Sequence, residues 1–145
     1  MEVRSDRRFH FDAEPAEFWG AVGSVERYRE WWPWLRSFEA TGLVAGDRWR
    51  CTVKPPLPYT VRFTIHLEEV VPDTRIVAAI SGDIEGQAHL EIAPDEDGCA
   101  VRLQSGLAPT NTLLRVMAVV GRPLARYGHD WDLDVGAGQF ASRAL

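Results

Sequence analysis

The sequence predicts an α+β fold in which a curved antiparallel sheet of about seven strands wraps around a long C-terminal helix. Three observations carry this. Apolar residues alternate with a period of two from Val3 to Phe11 and repeatedly between Leu35 and Pro109. After Pro109 their spacing changes to three or four. Turn-forming residues separate the alternating runs at short intervals, which suits an antiparallel meander and not βαβ crossovers.

Val3, Ser5, Arg7, Phe9 and Phe11 share one phase of a first strand, opposite Glu2, Arg4, Asp6, Arg8 and His10. Asp12-Ala13-Glu14-Pro15 reads as a helix start, because proline suits the first turn and acidic groups suit the N-terminal dipole. A short helix follows over Glu17–Val22. Gly23-Ser24 breaks it, with Ser24 placed to cap a second short helix over Val25–Glu30. Pro33 ends that helix at or before Trp32. Leu35–Thr41 is the next strand, and Trp49, Cys51 and Val53 mark another. Lys54-Pro55-Pro56-Leu57-Pro58 makes a stiff extended loop. Tyr59, Val61, Phe63, Ile65 and Leu67 then form the apolar face of the clearest strand. Ile76, Ala78 and Ile80 make one further face, Ala88, Leu90 and Ile92 another, and Val101, Leu103 and Leu107 close the series. In this phase Gly82, Ile84 and Gly86 point inward, while Asp83, Glu85, Gln87, His89 and Glu91 point to solvent. Beyond Thr110 or Thr112 as N-cap, residues 111–135 read as one long amphipathic helix through Leu113, Met117, Val120, Leu124, Tyr127, Trp131 and Val135, kinked near Pro123. Gly136-Ala137-Gly138 predicts a frayed tail.

Composition bounds the function. Residues 1–145 fit one domain, long enough to bury a core without a metal or disulfide staple. A net charge of −5 disfavours nucleic acid, which needs clustered Lys and Arg. No apolar run approaches the ~18 residues of a membrane span, and the charged N-terminus lacks a signal-type apolar stretch. Cys51 and Cys99, 48 positions apart without a CxxC companion, read as reduced core residues of a cytoplasmic protein. The four histidines have no metal-ligand spacing, and no glycine-rich phosphate loop occurs, so no metal and no cofactor are called for.

Phe11-Asp12-Ala13 with Pro15 and Phe18-Trp19, then Val25-Glu26-Arg27-Tyr28 running into Glu30-Trp31-Trp32-Pro33, resembles the opening of the START-like (SRPBCC) superfamily. Pro56-Leu57-Pro58-Tyr59, Ser81-Gly82-Asp83-Ile84-Glu85-Gly86 and Pro123-Leu124 with His129-Asp130-Trp131 are similar to its polyketide cyclase/dehydrase branch. The resemblance covers nearly the whole chain. It implies the helix-grip (START/Bet v 1-like) fold and a hydrophobic ligand enclosed between helix and sheet. It does not fix a reaction.

On that frame the ligand-binding candidates are Trp31, Trp32, Trp34, Tyr59, Phe63, Ala78, Met117, Gly121, Leu124, Gly128 and Trp131. The tryptophan cluster offers flat apolar surface to a ring-shaped ligand at the cavity mouth, or else fills core over the sheet edge. Ala78 leaves room in the concave sheet, and Gly121 and Gly128, seven apart, leave it on one helix face. Tyr59, Tyr127 and His129 are the candidates for proton transfer. Arg7 and Arg102 read as solvated strand residues, since an inward arginine needs a carboxylate or ligand partner. Arg115, Arg122 and Arg126 with Asp130, Asp132 and Asp134 form an exposed charged face, or a docking surface for a second copy and hence a homodimer.

The leading function is binding or carriage of an apolar, ring-containing small molecule. The alternatives are a polyketide cyclase/dehydrase-type enzyme and an interaction or regulatory protein without a cavity ligand.

Overall fold

Alternation of apolar and polar side chains becomes a seven-stranded antiparallel sheet with strand order β1-β7-β6-β5-β4-β3-β2. The structure, a computed structural model, describes residues 2–54, 60–110 and 134–144. The strands are β1 (Val3–Phe11), β2 (Leu35–Glu39), β3 (Arg48–Val53), β4 (Val61–Val71), β5 (Arg75–Gly82), β6 (Ile84–Asp95) and β7 (Gly98–Pro109). From β2 to β7 each strand pairs with the next, as a meander requires. β1 closes on β7, with Val3 opposite Leu107 and Phe11 opposite Cys99. Between β1 and β2 lie α1 (Pro15–Gly23), a 3₁₀ turn over Val25–Arg27 and α2 (Tyr28–Trp31). These carry the chain from one sheet edge to the other, and Phe18, Val25, Tyr28 and Trp31 are their buried residues.

Local chemistry sets the boundaries. Pro15 opens α1, as its fixed φ allows. Ser24 does not cap the following turn; its hydroxyl donates to the Gly20 carbonyl at 3.0 Å, turning back onto α1. The Trp32 amide closes α2 on the Tyr28 carbonyl at 2.9 Å, and Pro33 follows. The corner between β5 and β6 is clamped to β4, because the Asp83 carboxylate accepts the Arg62 amide at 2.9 Å while the Asp83 amide donates to the Arg62 carbonyl. Thr110, expected as a helix cap, donates its hydroxyl to the Gly82 carbonyl at this same corner. Near β3, Asp47 gathers the Thr41 and Gly42 amides and the Trp49 indole N–H, each at 3.0 Å. The Gly42 amide is the main reason its carboxyl is held below the usual carboxylate range.

The core lies on the inner face of the sheet, where Phe11, Trp49, Cys51, Val53, Leu67, Ile92, Cys99 and Val101 are all buried. Residues 111–133 lie outside the described residues, and with them the long helix expected over 111–135 except its end. Residues 134–144 are helical, so the Gly136-Ala137-Gly138 tail does not fray. Phe140 explains the difference. It is 5% exposed and sits among Phe11, Phe18, Trp31 and Trp32, with ring centroids 5.3–6.2 Å away. Tertiary burial of one ring outweighs the weak helix propensity of two glycines.

Cys51 and Cys99 are free and buried on β3 and β7, with β4, β5 and β6 between them. Burial pushes the Cys51 thiol up to about 12 and also raises that of Cys99. Neither is expected to react with an aromatic disulfide reagent in native protein at pH 8, whereas two thiols titrate once it is denatured. Rapid native labelling of either would contradict this packing.

Candidate functional site

Cross-strand register decides what the inner face looks like, because paired residues in an antiparallel ladder share a face. Ser5 pairs with Ser105, Ser105 with Ala88, and Ala88 with Ala78. Four small side chains therefore form a row across β1, β7, β6 and β5. On one side of it run Arg7, Leu103, Leu90 and Ile76; on the other run Val3, Leu107, Gly86 and Ile80. The row is a trough walled mainly by taller apolar side chains, with Arg7 and Gly86 as the exceptions. Towards the β6–β7 turn the face is tightly covered, with Cys99 0% and Val101 3% exposed. Along the trough the cover is uneven: Ser5, Ala78, Ile76 and Ile80 are buried, whereas Ala88, Leu90, Leu103, Ser105 and Leu107 are half-buried, as are Phe63 and Ile65 on β4.

Polar groups on this inner wall are concentrated at its β1 end. Ser5 is buried and faces Ser105. Arg7, two residues along the same face, also points inward, contrary to the solvated position expected from its charge. Its Nε lies 3.4 Å from Oδ1 of Asp134, at the start of the described C-terminal helical segment. Arg102 does face outward as expected. It holds Asp6 with two contacts of 3.0 and 2.6 Å, and this hydrogen bond lowers the pKa of the Asp6 carboxyl.

The tryptophans serve the C-terminal segment. Trp31 is 2% exposed, edge-on to Trp32 and Phe140. Trp32 and Trp34 are half-buried; the Trp32 indole N–H donates to the Gly136 carbonyl at 2.9 Å and that of Trp34 to Oε1 of Gln139 at 2.8 Å. Arg143 adds a bond to the Trp31 carbonyl at 2.6 Å. Beneath them Tyr28 donates to the Val22 carbonyl, and desolvation raises its phenol pKa far above the usual value.

Of the other candidate residues, Phe63 and Ala78 lie on the inner face, Ala78 in the small row. Tyr59, Met117, Gly121, Leu124, Tyr127, Gly128, His129 and Trp131 lie outside the described residues. Glu85, Gln87 and His89 face outward as expected, pairing with Ala108, Gly106 and Gln104. They border an open groove of about 1020 Å³ on the outer side, shared with Glu2, Arg4 and Asp6. Its lining carries more acidic than basic side chains, Glu2, Asp6 and Glu85 against Arg4, which contacts Glu2 at 3.0 Å. Among the described residues no group of three or more His, Cys, Asp or Glu could hold a metal ion.

The site residues not anticipated from the sequence are Ser5, Ser105 and Asp134. Their signal was present in part. Ser5 shares the phase of Phe9 and Phe11, and Ser105 that of Leu103 and Leu107. Only the register reveals that they meet.

A family described as "polyketide cyclase / dehydrase and lipid transport" matches residues 2–144. The chain belongs to that family. No curated protein matches the sequence of this polyketide cyclase/dehydrase family member. Among solved structures, a Thermus thermophilus protein, TTHA0849, is similar with a TM-score of 0.80 at 17% identity, covering 100% of this chain and 97% of that one. The di-domain ARO/CYC StfQ from the steffimycin biosynthetic pathway is similar with a TM-score of 0.75 at 11% identity, covering 99% of this chain and 51% of StfQ. Ara h 8.0201 gives 0.62 at 12%, covering 97% and 99%. At these identities the likeness shows the fold: this family member has the helix-grip α+β fold. Family and fold together suggest hydrophobic ligand binding or a cyclase/dehydrase-like role. No described helix is long and apolar enough to cross a membrane.

Proposed function

We propose that residues 1–145 act as one domain that binds and carries an apolar, ring-containing small molecule along the inner face of the sheet. The observation that carries this is the Ser5–Ser105–Ala88–Ala78 row with the half-buried side chains of Leu90, Leu103 and Leu107 beside it. Packed cores leave few voids larger than a water molecule, so a band of small side chains with accessible walls is surface kept for a ligand. A second reading, a polyketide cyclase/dehydrase-type enzyme, draws support from the polar groups gathered at Ser5, Ser105 and Arg7, since proton transfer needs such groups beside an apolar body. The two separate on whether a bound molecule is released unchanged.

Ala88→Leu tests the trough. Filling it with a larger side chain is expected to weaken binding of a fluorescent aromatic probe at least tenfold while the melting temperature stays within a few degrees. If the trough is instead filled by protein, the same change overpacks it, costing roughly 1–3 kcal/mol. A large loss of stability, or unchanged probe binding, contradicts the reading.

A further inference from the structure

The outer face of the sheet differs from end to end in how its arginines are held. Arg102 is committed to Asp6 at 3.0 and 2.6 Å, and Arg75 to Glu69 at 2.8 and 2.5 Å. Across β3 and β4 the arginines are not committed. Trp49, Cys51 and Val53 turn inward, so Arg48, Arg50 and Thr52 turn outward, and their partners His66, Thr64 and Arg62 share that outer face. Arg48, Arg50 and Arg62 are all exposed. Arg48 faces His66 and Arg62 faces Thr52, and among the described residues neither arginine has a carboxylate partner. Arg50 touches Glu39 at 3.8 Å with the side chains 78% and 73% exposed, a pair that solvent screens. Along β2, β3 and residues 62–66 of β4, Glu39 is the one carboxylate.

We infer that this face docks the protein on an anionic phospholipid surface. Arg50 faces Thr64 and Arg62 faces Thr52, which makes the two arginines diagonal neighbours with Cα atoms roughly 7–8 Å apart. Their guanidinium groups reach one phosphate from two sides, a geometry in which each fork donates in parallel to phosphate oxygens. Thr52 and Thr64 occupy the other diagonal and offer hydroxyl donors to the same headgroup. A stable protein interface needs aromatic or aliphatic anchors at its centre, and the centre here is arginine and threonine. A charged bilayer needs no such anchor, because its attraction is spread over many headgroups. An apolar element stands at the end of the face. The Gly46 amide donates to the Leu67 carbonyl at 2.7 Å and the Leu67 amide to the Asp47 carbonyl at 3.0 Å, which fixes the β2–β3 connection beside the Arg48–His66 pair. That connection carries Val44, 55% exposed. An aliphatic side chain beside a basic face suits the boundary between headgroups and acyl chains. The trough lies on the other side of the sheet, so this inference goes beyond the carrier reading and does not rest on it.

The test is flotation with vesicles of phosphatidylcholine alone and of phosphatidylcholine mixed with phosphatidylglycerol. Wild type is expected to bind the mixed vesicles and not the neutral ones, at least tenfold more weakly as NaCl rises from about 50 to about 300 mM. Arg48→Gln, Arg50→Gln and Arg62→Gln combined are expected to weaken that binding about a hundredfold. All three side chains are exposed, so the melting temperature stays within a few degrees. Where that triple variant folds poorly, Glu39→Gln reports in the opposite direction, because removing the one acid strengthens vesicle binding severalfold. Val44→Ser weakens it severalfold and leaves the salt dependence unchanged. No preference for the mixed vesicles, unchanged binding in the triple variant, or weaker binding in Glu39→Gln overturns the inference. Tighter binding of poly-glutamate or duplex DNA than of the mixed vesicles also overturns it, by assigning the face to a protein or a nucleic acid. Displacement from the vesicles by inorganic phosphate at equal phosphate concentration does so too, by making this a site for a free anion.

Discussion

Phe140→Ala is expected to destabilise the protein by about 3–5 kcal/mol, the cost of deleting a buried aromatic ring and leaving its cavity. For a chain of this size that lowers the melting temperature by roughly 10 °C or more. The position is near the end of the chain, where truncations are usually tolerated. Here the ring is 5% exposed and contacts Phe11 on β1, Phe18 on α1 and Trp31 on α2, so one side chain joins four elements. Loss of the ring also removes the support that holds Gly136 under the Trp32 indole. Urea denaturation of Phe140→Ala against wild type measures the effect. A change under about 1 kcal/mol would show the C-terminal segment to be an appendage.

Gly86→Ala is expected to have a still larger effect for a single added carbon. Gly86 has φ +152°, where L side chains are strained, and a Cβ there would lie 1.8 Å from the Gly106 carbonyl oxygen. The obstacle is backbone of the neighbouring strand, not a side chain that can swing away. β6 and β7 must separate locally or the chain must abandon the conformation, and a loss above about 4 kcal/mol follows. Gly138→Ala is the control. Nothing lies within 4 Å of a Cβ at Gly138, and the residue is in the C-terminal helical segment. That change should stabilise by roughly 0.5–1 kcal/mol. Equilibrium unfolding of the two variants compares them directly, and a soluble, fully stable Gly86→Ala would show that the sheet has slack at this point.

The strands were legible because each turns one face to the core, and period-two alternation is the direct imprint of that fact. From Val61 to Leu67 or from Ala88 to Ile92, the inward set can be read off without the structure. The helical tail was not legible. Gly136 and Gly138 carry the local signal of a break, while the force that orders them comes from rings more than a hundred positions earlier. The trough was half legible. Ala78 was singled out for its size, but its alignment with Ala88, Ser105 and Ser5 depends on three registers, and the β1–β7 one joins strands far apart in sequence with no turn to set it. Arg7 was misplaced for a related reason: charge argued for solvent, and its inward phase with Phe9 and Phe11 was the better guide.

The pairing of the first strand with the last also governs how the chain reaches this fold. Neighbouring strands from β2 to β7 follow one another closely along the chain, so their ladders can zip by local steps. β1 has no such partner. Val3 waits for Leu107 and Phe11 for Cys99, so on a ribosome its edge stays open until most of the chain has emerged. Closing so long a loop adds only a logarithmic entropy cost, yet non-local pairing of this kind places folding on the slow, millisecond-to-second side of small domains. During that interval the charges of Arg4, Asp6 and Arg8 along β1 discourage its unpaired edge from joining another chain.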